Sequence, residues 1–240
     1  MQKAWMHAIR IVSFIIIATT AAWPQPPLTA DQIVCNLMQR NQERAAALKS
    51  YTGARVYKLH YHGFPGSRDA EMVVEATYNA PASKQFKVVS EKGSKFIINK
   101  ILKRLLASEQ EALERENRKE TALTPQNYGF TLEGEESSAD SRFYVLHAEP
   151  KRKNKFLFRG KIWVDAKDFA VARIEAEPAK NPSFWISRTR IEHLYMKIED
   201  FWLPVKNTSR TNVRLGGTAT LTIEYKDYAV TQQATASVQR

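Results

Sequence analysis

The sequence contains a single cysteine, Cys35, among 240 residues. One cysteine excludes an intramolecular disulfide, so the fold must be held by ordinary packing. The chain also lacks the G-x-S-x-G, H-E-x-x-H and glycine-rich phosphate-loop motifs that mark common catalytic and nucleotide sites. We therefore predict no catalytic residue, no metal site and no cofactor, and we expect that the protein is not an enzyme.

No apolar run approaches the ~20 residues that a transmembrane helix needs. The longest, at residues 11–18, follows Lys3 and Arg10 and precedes the small residues 19–22. This order is typical of a signal peptide, with cleavage predicted after Ala22 or, alternatively, after Ala30. A retained N-terminal anchor is the other interpretation. Residues 23–30 are then a proline-rich linker.

Cys35 raises the question of lipidation, because bacterial lipoproteins are acylated on a cysteine next to the apolar run. Here Val34 precedes it, and it lies far beyond that run. We therefore expect a protein without a lipid anchor, in which Cys35 is a small buried residue on a helix face.

The chain is basic, with a formal net charge of +11 that loss of the leader would lower by two. Apolar residues make up 43% of it, which is enough to build a core. For an exported protein this charge favours an anionic membrane surface or an acidic protein as partner, and not nucleic acid.

Hydrophobic periodicity divides the chain into two helices and about ten strands. Apolar residues recur at steps of three and four in residues 31–49 and 95–114, which predicts two amphipathic helices. Residues 108–120 are highly charged and either extend the second helix or lose order. Alternation with period two predicts strands at residues 51–62, 71–79, 84–90, 128–135, 142–149, 155–164, 169–177, 184–198, 201–213 and 217–228.

Together these elements predict the fold class α+β, with one large curved antiparallel sheet whose strands follow sequence order. A sheet of this size curls because its strands twist. The two helices are too short to fill a deep barrel, so the outcome is either a half-open barrel with an apolar cavity or a fully packed interior. The domain is expected at residues 31–230, with a tail without pattern at 231–240.

Three stretches resemble the LolA-like outer-membrane lipoprotein-sorting superfamily. They are Ser-Tyr-Thr-Gly at 50–53, the segment GKIWVDAKDFAVARIEAE at 160–177, and DFWLP at 200–204. The resemblance implies an unclosed barrel with a helical lid, a cavity that accepts acyl chains, and residence in the periplasm. It extends over nearly the whole exported chain, although no functional residue can be transferred by position.

Two sets of residues are the candidate sites. The cavity and lid candidates lie on the second helix and on the apolar faces of the strands, namely Phe96, Ile97, Ile101, Leu105, Met72, Val74, Phe86, Leu221, Ile223 and Tyr225. The candidates for a membrane or partner surface belong to a run of six basic residues at 151–161, namely Lys151, Arg152, Lys153, Lys155 and Arg159. That run could equally be a solubilising edge strand.

His60 and His62 point the same way on one strand and would form half of a metal site. No further ligands are evident, so a solvated polar face is the favoured interpretation. The first functional hypothesis is a monomeric periplasmic carrier that shields acyl chains of a lipid or lipoprotein. The alternative is an envelope sensor that binds a protein through its basic surface.

Overall fold

The computed structural model describes residues 27–81, 83–113, 115–138, 140–180, 186–214 and 216–233. The predicted leader, the first part of the predicted linker and the tail beyond residue 233 lie outside these described residues. Statements about domain boundaries at the two ends therefore remain predictions.

The helices of the described chain fall into two groups. The first is α1 (Ala30–Ala47), which begins at a capping box: the Thr29 hydroxyl accepts from the Gln32 amide, and the Thr29 amide donates to the Gln32 side chain. The second group follows the third strand and consists of α2 (Lys95–Ile97), a π-helical turn (Ile98–Leu102), α3 (Lys103–Ala112) and α4 (Arg115–Thr121). We refer to residues 95–112 as the cover helix.

The described chain contains ten strands, all in one antiparallel sheet. They are β1 (Leu48–Gly63), β2 (Arg68–Asn79), β3 (Ser83–Gly93), β4 (Tyr128–Ser137), β5 (Arg142–Pro150), β6 (Phe158–Asp165), β7 (Val171–Pro178), β8 (Ile186–Ile198), β9 (Phe201–Val213) and β10 (Gly217–Gln232). The predicted fold class and the predicted strand count are confirmed, and most boundaries agree within three residues.

The order of the strands differs from the prediction. It is β3-β2-β1-β10-β9-β8-β7-β6-β5-β4, so the first and last strands pair with each other inside the sheet. Their register runs from Leu48 opposite Gln232 to Gly63 opposite Gly217. Sequential order was wrong because residues 94–127 leave the sheet at β3 and return at its opposite edge as β4, which leaves β1 free to pair with β10.

The inner face of the sheet holds two large apolar cores with a polar seam between them, and a third, smaller cluster of buried residues consists of Tyr51, Phe201 and Leu203. One row of paired residues crosses both cores and runs Leu146, Ile162, Ile174, His193, Asn207, Ile223, Tyr57, Met72. His193 and Asn207 lie on the central strands, and the Asn207 amide donates to the Tyr225 hydroxyl at 2.8 Å. The apolar periodicity that is clear at both flanks is therefore interrupted at the centre.

The core beneath the cover helix is closely packed. Ile98, Leu102, Met72 and Val74 have no exposed surface. Gly93 ends β3 at φ +88, where a Cβ would lie 2.3 Å from the Asp69 carbonyl oxygen, so only glycine lets the chain turn this closely into the cover helix.

A buried ion cluster fixes α3 to the same half of the sheet. The Arg55 guanidinium donates to Glu109 at 2.7 Å and lies between the rings of Phe86 and Tyr225, 5.0 and 4.9 Å from their centroids. Lys84 donates to the second Glu109 oxygen at 2.5 Å. Because both basic side chains are largely buried, the shared Glu109 carboxylate offsets charge that would otherwise be costly to bury.

The other core lies beneath α1, which buries only one half of its length. Ile33, Val34 and Leu37 are buried against β4 to β7, whereas residues 38–47 contribute no buried side chain. Cys35 is exposed, which corrects the expectation of a buried cysteine. The reason is geometric, since the residues at 33, 34 and 37 define the buried side and position 35 lies off it.

Candidate functional site

An apolar groove of about 340 Å³ lies between the second half of α1 and the inner face of the sheet. It falls in the ~300–1,000 Å³ range of small-molecule sites in proteins. Its walls come from α1, the start of β1, the segment before β4 and strands β6 to β9, and consist of Asn41, Arg44, Ala45, Leu48, Leu123, Phe158, Ala170, Val171, Ile174, Tyr195, Phe201, Trp202 and Leu203. Most of these side chains are apolar.

The groove exists because the second half of α1 is polar or short-chained. The sequence of residues 39–47 is QRNQERAAA, which offers no large apolar side chain to the sheet. The sheet beneath it is apolar, with Val171 and Ile174 on β7 and Leu203 on β9. An apolar wall therefore faces a helix that cannot fill the space over it.

Arg44 holds the end of α1 over the groove. Its guanidinium donates to the carbonyl oxygens of Asp168 and Phe169, both at 2.9 Å, and to the Asn41 side chain at 2.8 Å. All three acceptors are neutral, and no carboxylate among the described residues forms an ion pair with it. Burial lowers the pKa of Arg44 below its ordinary value, but the group stays charged at neutral pH.

The turn between β6 and β7 gives Arg44 a rigid partner. The Asp165 side chain accepts from the amides of Lys167 and Asp168 at 3.0 and 2.7 Å. The Asp168 carboxylate accepts from the Trp202 indole at 2.9 Å and from Lys197 at 2.8 Å. Burial by itself would raise the pKa of Asp168. The hydrogen bonds from Lys197 and Trp202, with the nearby positive charges, together outweigh burial, so the pKa lies below its ordinary value.

Tyr195 is the main polar group inside the groove. Burial raises its pKa to about 12, so its hydroxyl remains a neutral donor at physiological pH. Among the described residues none accepts a hydrogen bond from this hydroxyl. The groove therefore combines a largely apolar wall with one available donor and, at its rim, one guanidinium without an ion-pair partner.

Most of the cavity candidates predicted from the sequence gather elsewhere, beneath the cover helix. Ile97, Met72 and Val74 are buried there, and Leu105, Phe86, Leu221 and Ile223 pack around them. Tyr225 contacts the Arg55 guanidinium. Phe96 and Ile101 instead face outward and are 60% and 36% exposed. That this closely packed cluster admits a ligand remains a prediction.

Three of the five residues of the predicted basic surface, Arg152, Lys155 and Arg159, form ion pairs within the described chain. Lys155 pairs with Glu111 at 2.8 Å and Arg159 with Glu149 at 3.0 Å. Lys151 donates to the Pro125 carbonyl at 2.5 Å, and Arg152 donates to the Glu120 carbonyl at 2.6 Å. Only Lys153 of the five lacks such a partner within the described chain. Its function as a docking surface remains a prediction.

The two histidines lie on the outer face of β1 and have partners within the hairpin. His60 Nδ1 is 2.7 Å from an Asp69 oxygen, and His62 Nδ1 is 2.9 Å from the Ser67 hydroxyl. Within the described ranges no three His, Cys, Asp or Glu side chains are arranged to hold a metal ion. None of the described helices combines the length and apolar character needed to cross a bilayer.

The sequence did not reveal the groove because its walls come one or two residues at a time from many elements. Phe158, Tyr195 and Leu203 lie on three different strands, and no local sequence pattern brings them together. One signal was available in the helix itself: the apolar pattern of α1 weakens after Leu37, while the strands below it remain apolar.

Comparison with known families gives one partial match. A model of a family of unknown function, DUF5686, matches residues 120–231, which is slightly less than half of the chain. This stretch contains the complete strands β4 to β9 and nearly all of β10. No curated protein sequence matches the chain.

Solved structures with a similar fold include three bacterial proteins. A LolA superfamily protein from Nitrosomonas europaea is 11% identical and aligns over 86% of this chain and 96% of its own, with a TM-score of 0.36. A DUF1329 family protein from Desulfovibrio piger is 12% identical over 85% and 94%, with a TM-score of 0.41. A putative outer membrane lipoprotein-sorting protein domain from Vibrio parahaemolyticus is 9% identical over 85% and 92%, with a TM-score of 0.40.

The LolA-like resemblance noted in the sequence agrees with the descriptions of two of these structures, although all three TM-scores are below 0.5. Identities of 9 to 12% say nothing about what this chain binds. Its function has to be inferred from its own groove and its own charges.

Proposed function

We propose that the protein is a periplasmic carrier that holds an acyl chain of a lipid or lipoprotein in the groove between α1 and strands β6 to β9. The observation that supports this most directly is the groove itself, about 340 Å³ with a largely apolar wall. An acyl chain is the matching ligand because burying apolar surface stabilises binding by about 25 cal/mol per Å².

The polar groups at the groove favour an acyl ligand with an anionic head. Arg44 lies at the rim with only neutral acceptors, and burial already disfavours its charge. A carboxylate or phosphate next to it would form a charge-assisted hydrogen bond. The Tyr195 hydroxyl could donate to an ester or amide oxygen along the chain.

The test is the binding of dansyl-undecanoic acid, a fluorescent fatty acid, followed by the rise and blue shift of its emission. We expect saturable binding to the wild type and at least a tenfold weaker affinity for Ala45→Trp, in which an indole occupies the groove. Ala46→Trp is the matched control, because Ala46 is exposed and does not line the groove. Its affinity should stay within twofold of the wild type.

The head-group assignment is tested with the same probe and its methyl ester. Arg44→Ala should weaken the acid severalfold more than the ester, because only the acid carries the charge. Absence of probe binding by the wild type, or equal binding by Ala45→Trp and Ala46→Trp, would rule out the proposed groove. Native mass spectrometry of protein purified from its host would then identify any co-purified lipid.

The alternative hypothesis is an envelope sensor that binds a protein partner. Charge reversal distinguishes it from the carrier, at Lys151, Arg152, Lys153 and Lys155. A sensor would lose its partner and keep the acyl probe. A carrier would keep probe binding in this variant and lose it in Ala45→Trp.

A further inference from the structure

Exposed apolar side chains concentrate at one corner of the molecule. Seven large hydrophobic residues of the described chain are classed as exposed, and two of them, Met38 and Met196, lie elsewhere. The other five are on or beside the cover helix, on edge strand β3 and in the turn between β1 and β2, namely Phe64, Val88, Val89, Phe96 and Ile101. Phe64 is 83% exposed and Phe96 60%. Clusters of this kind mark interaction surfaces more often than isolated exposed residues do.

The outward direction of Phe96 and Ile101 follows from the π-helical turn. The inward positions are Ile97, Ile98 and Leu102, which have 3% exposure or less. A π-helix takes more residues per turn than an α-helix, so the residues on either side of this buried set are directed away from the sheet. The cover helix is thus apolar on two sides, and only the inner side has a partner within the described chain.

Basic residues surround these exposed apolar side chains. Residues 92–106 contain five basic residues and no acidic one. Glu91 pairs with Lys103 at 2.7 Å and lies 3.8 Å from Lys95. Lys92, Lys100 and Arg104 form no ion pair with any described residue and are exposed. Three of these five basic residues therefore lack an ion-pair partner within the described chain, and two of them, Lys100 and Arg104, lie on the cover helix itself.

The turn between β1 and β2 lies at the same end of the sheet as the start of the cover helix. The Ser94 amide donates to the Asp69 carbonyl at 2.8 Å, which joins the end of β3 to the start of β2. Phe64 is in the turn that precedes β2, and exposed Arg68 begins that strand. Two exposed phenylalanines and several free cations therefore occupy one end of this half of the sheet.

We propose that this corner, formed by Phe64, Arg68, Lys92, Phe96, Lys100, Ile101 and Arg104, docks on the surface of an anionic phospholipid bilayer. Aromatic side chains enter the headgroup boundary, and each lysine or arginine near an anionic surface strengthens binding about fivefold. The proposal depends on the corner alone and does not require the groove to bind an acyl chain.

The test is sedimentation of the purified protein with sucrose-loaded vesicles of phosphatidylcholine, with or without 30% phosphatidylglycerol. We expect binding only to the anionic vesicles, with loss of binding at high salt because the attraction is screened. The double variant Lys100→Glu, Arg104→Glu should bind at least 30-fold more weakly. Phe96→Ala should reduce binding about tenfold.

Two matched controls separate this corner from other surfaces. Met196→Ala removes an apolar side chain that is 59% exposed at a different site, and it should not change binding. Lys151→Glu with Lys153→Glu reverses two charges of the other basic surface and should reduce binding no more than threefold, through net charge alone. Both variants alter exposed positions and should fold normally, which circular dichroism verifies.

Insertion of the aromatic side chain is measured separately. Phe96→Trp should add a fluorescence component that anionic vesicles containing brominated lipid quench, beyond the quenching seen with the wild type. The proposal is overturned if anionic vesicles do not bind the wild type, or if only the variant at Lys151 and Lys153 loses binding. It is also overturned if Phe96→Ala leaves vesicle binding unchanged and alters only the mass measured by sedimentation equilibrium, which would identify a contact between copies of the chain. The same holds if Phe96→Ala leaves vesicle binding unchanged and reduces only the binding of an acidic protein.

Discussion

The two halves of the sheet are covered by helices in contrasting ways. Beneath the cover helix the space is filled, with Leu102 and Met72 fully buried and Glu109 joined to two buried cations. Beneath α1 only the first half of the helix reaches the core, and the second half leaves a groove of about 340 Å³. Both helices cover one continuous sheet, so the sheet does not determine which half is open.

The difference lies in the helices themselves. The cover helix supplies a large apolar residue to the sheet at every turn, through Ile98, Leu102 and Leu106. α1 supplies Ile33, Val34 and Leu37 and then no buried side chain. An amphipathic helix whose apolar face stops halfway is a simple way to build an open site on a rigid sheet, because the first half anchors the helix and the second half spans the space.

The largest expected effect tests how closely each half is packed. Leu102→Ala should lower the free energy of unfolding by about 4 kcal/mol, since it leaves a cavity in a filled core. Val171→Ala at the groove should cost about 1 kcal/mol, because its site is already partly open. Urea denaturation followed by circular dichroism measures both. Equal losses would mean that the two halves are packed alike.

The second prediction concerns the ion cluster that fixes α3 to the sheet. Glu109→Gln leaves Arg55 and Lys84 without a neutralising charge and should cost about 2 to 3 kcal/mol. Glu43→Gln, which breaks an exposed pair with Arg40, should change the free energy of unfolding far less, because solvent screens that pair. A similar loss in both variants would refute a special role for the cluster.

The cluster also has a defined pH dependence. Burial by itself would raise the pKa of Glu109. Lys84 and Arg55 together outweigh burial, so the pKa of Glu109 in the folded protein is below the ordinary 4.5. Its contribution is therefore complete above about pH 4.5 and is lost as the pH falls through the lower folded value. Glu109→Gln should show a weaker loss of stability in this acidic range than the wild type.

The smallest predicted effect at neutral pH lies in the seam between the halves. Burial lowers the pKa of His193 from 6.5 to about 4. As the pH falls, the unfolded chain takes up a proton near pH 6.5, whereas the folded chain takes it up only near pH 4. The contribution of neutral His193 to the free energy of unfolding is therefore complete above pH 6.5. It is lost between pH 6.5 and pH 4, by roughly 3 kcal/mol in total. His193→Gln should flatten the profile between pH 6.5 and 4, as measured by urea midpoints. His62→Gln, at an exposed position, serves as the control and should retain the wild-type slope.

Much of the fold could be predicted from the sequence because its signals are local. Many strands alternate apolar and polar residues, and glycine or aspartate marks several turns, so ten strands and the two regions of covering helix could be predicted. The pairing of β1 with β10 could not be predicted in this way. It depends on where the largely helical segment at 94–127 carries the chain, and no local pattern encodes that path.

The candidate sites were harder to predict because the burial of a side chain depends on the direction in which its helix or strand points it, as well as on residue type. Phe96 and Ile101 belong to an apolar stripe in the sequence, yet the π-helical turn changes the helical phase and directs them outward. The basic run at 151–159 stands out by its charge, but Glu111, which pairs with Lys155, is 44 residues away in sequence, and Glu149 meets Arg159 through the pairing of β5 with β6. Neither outcome follows from residue types alone.

The position of β10 between β1 and β9 has a consequence for how the chain acquires its structure. Strands β1 to β3 and strands β4 to β9 touch through β10 alone in the ladder, and β10 ends with the Gln233 amide donating to the Ala47 carbonyl at 2.8 Å. As the chain emerges, two separate sheets with open edges must wait until residues 217–232 arrive. Contacts of such long range are slow to form, and unpaired edges invite aggregation during the delay. A chaperone that keeps the nascent chain extended would protect this protein more than one whose strands pair in sequence order.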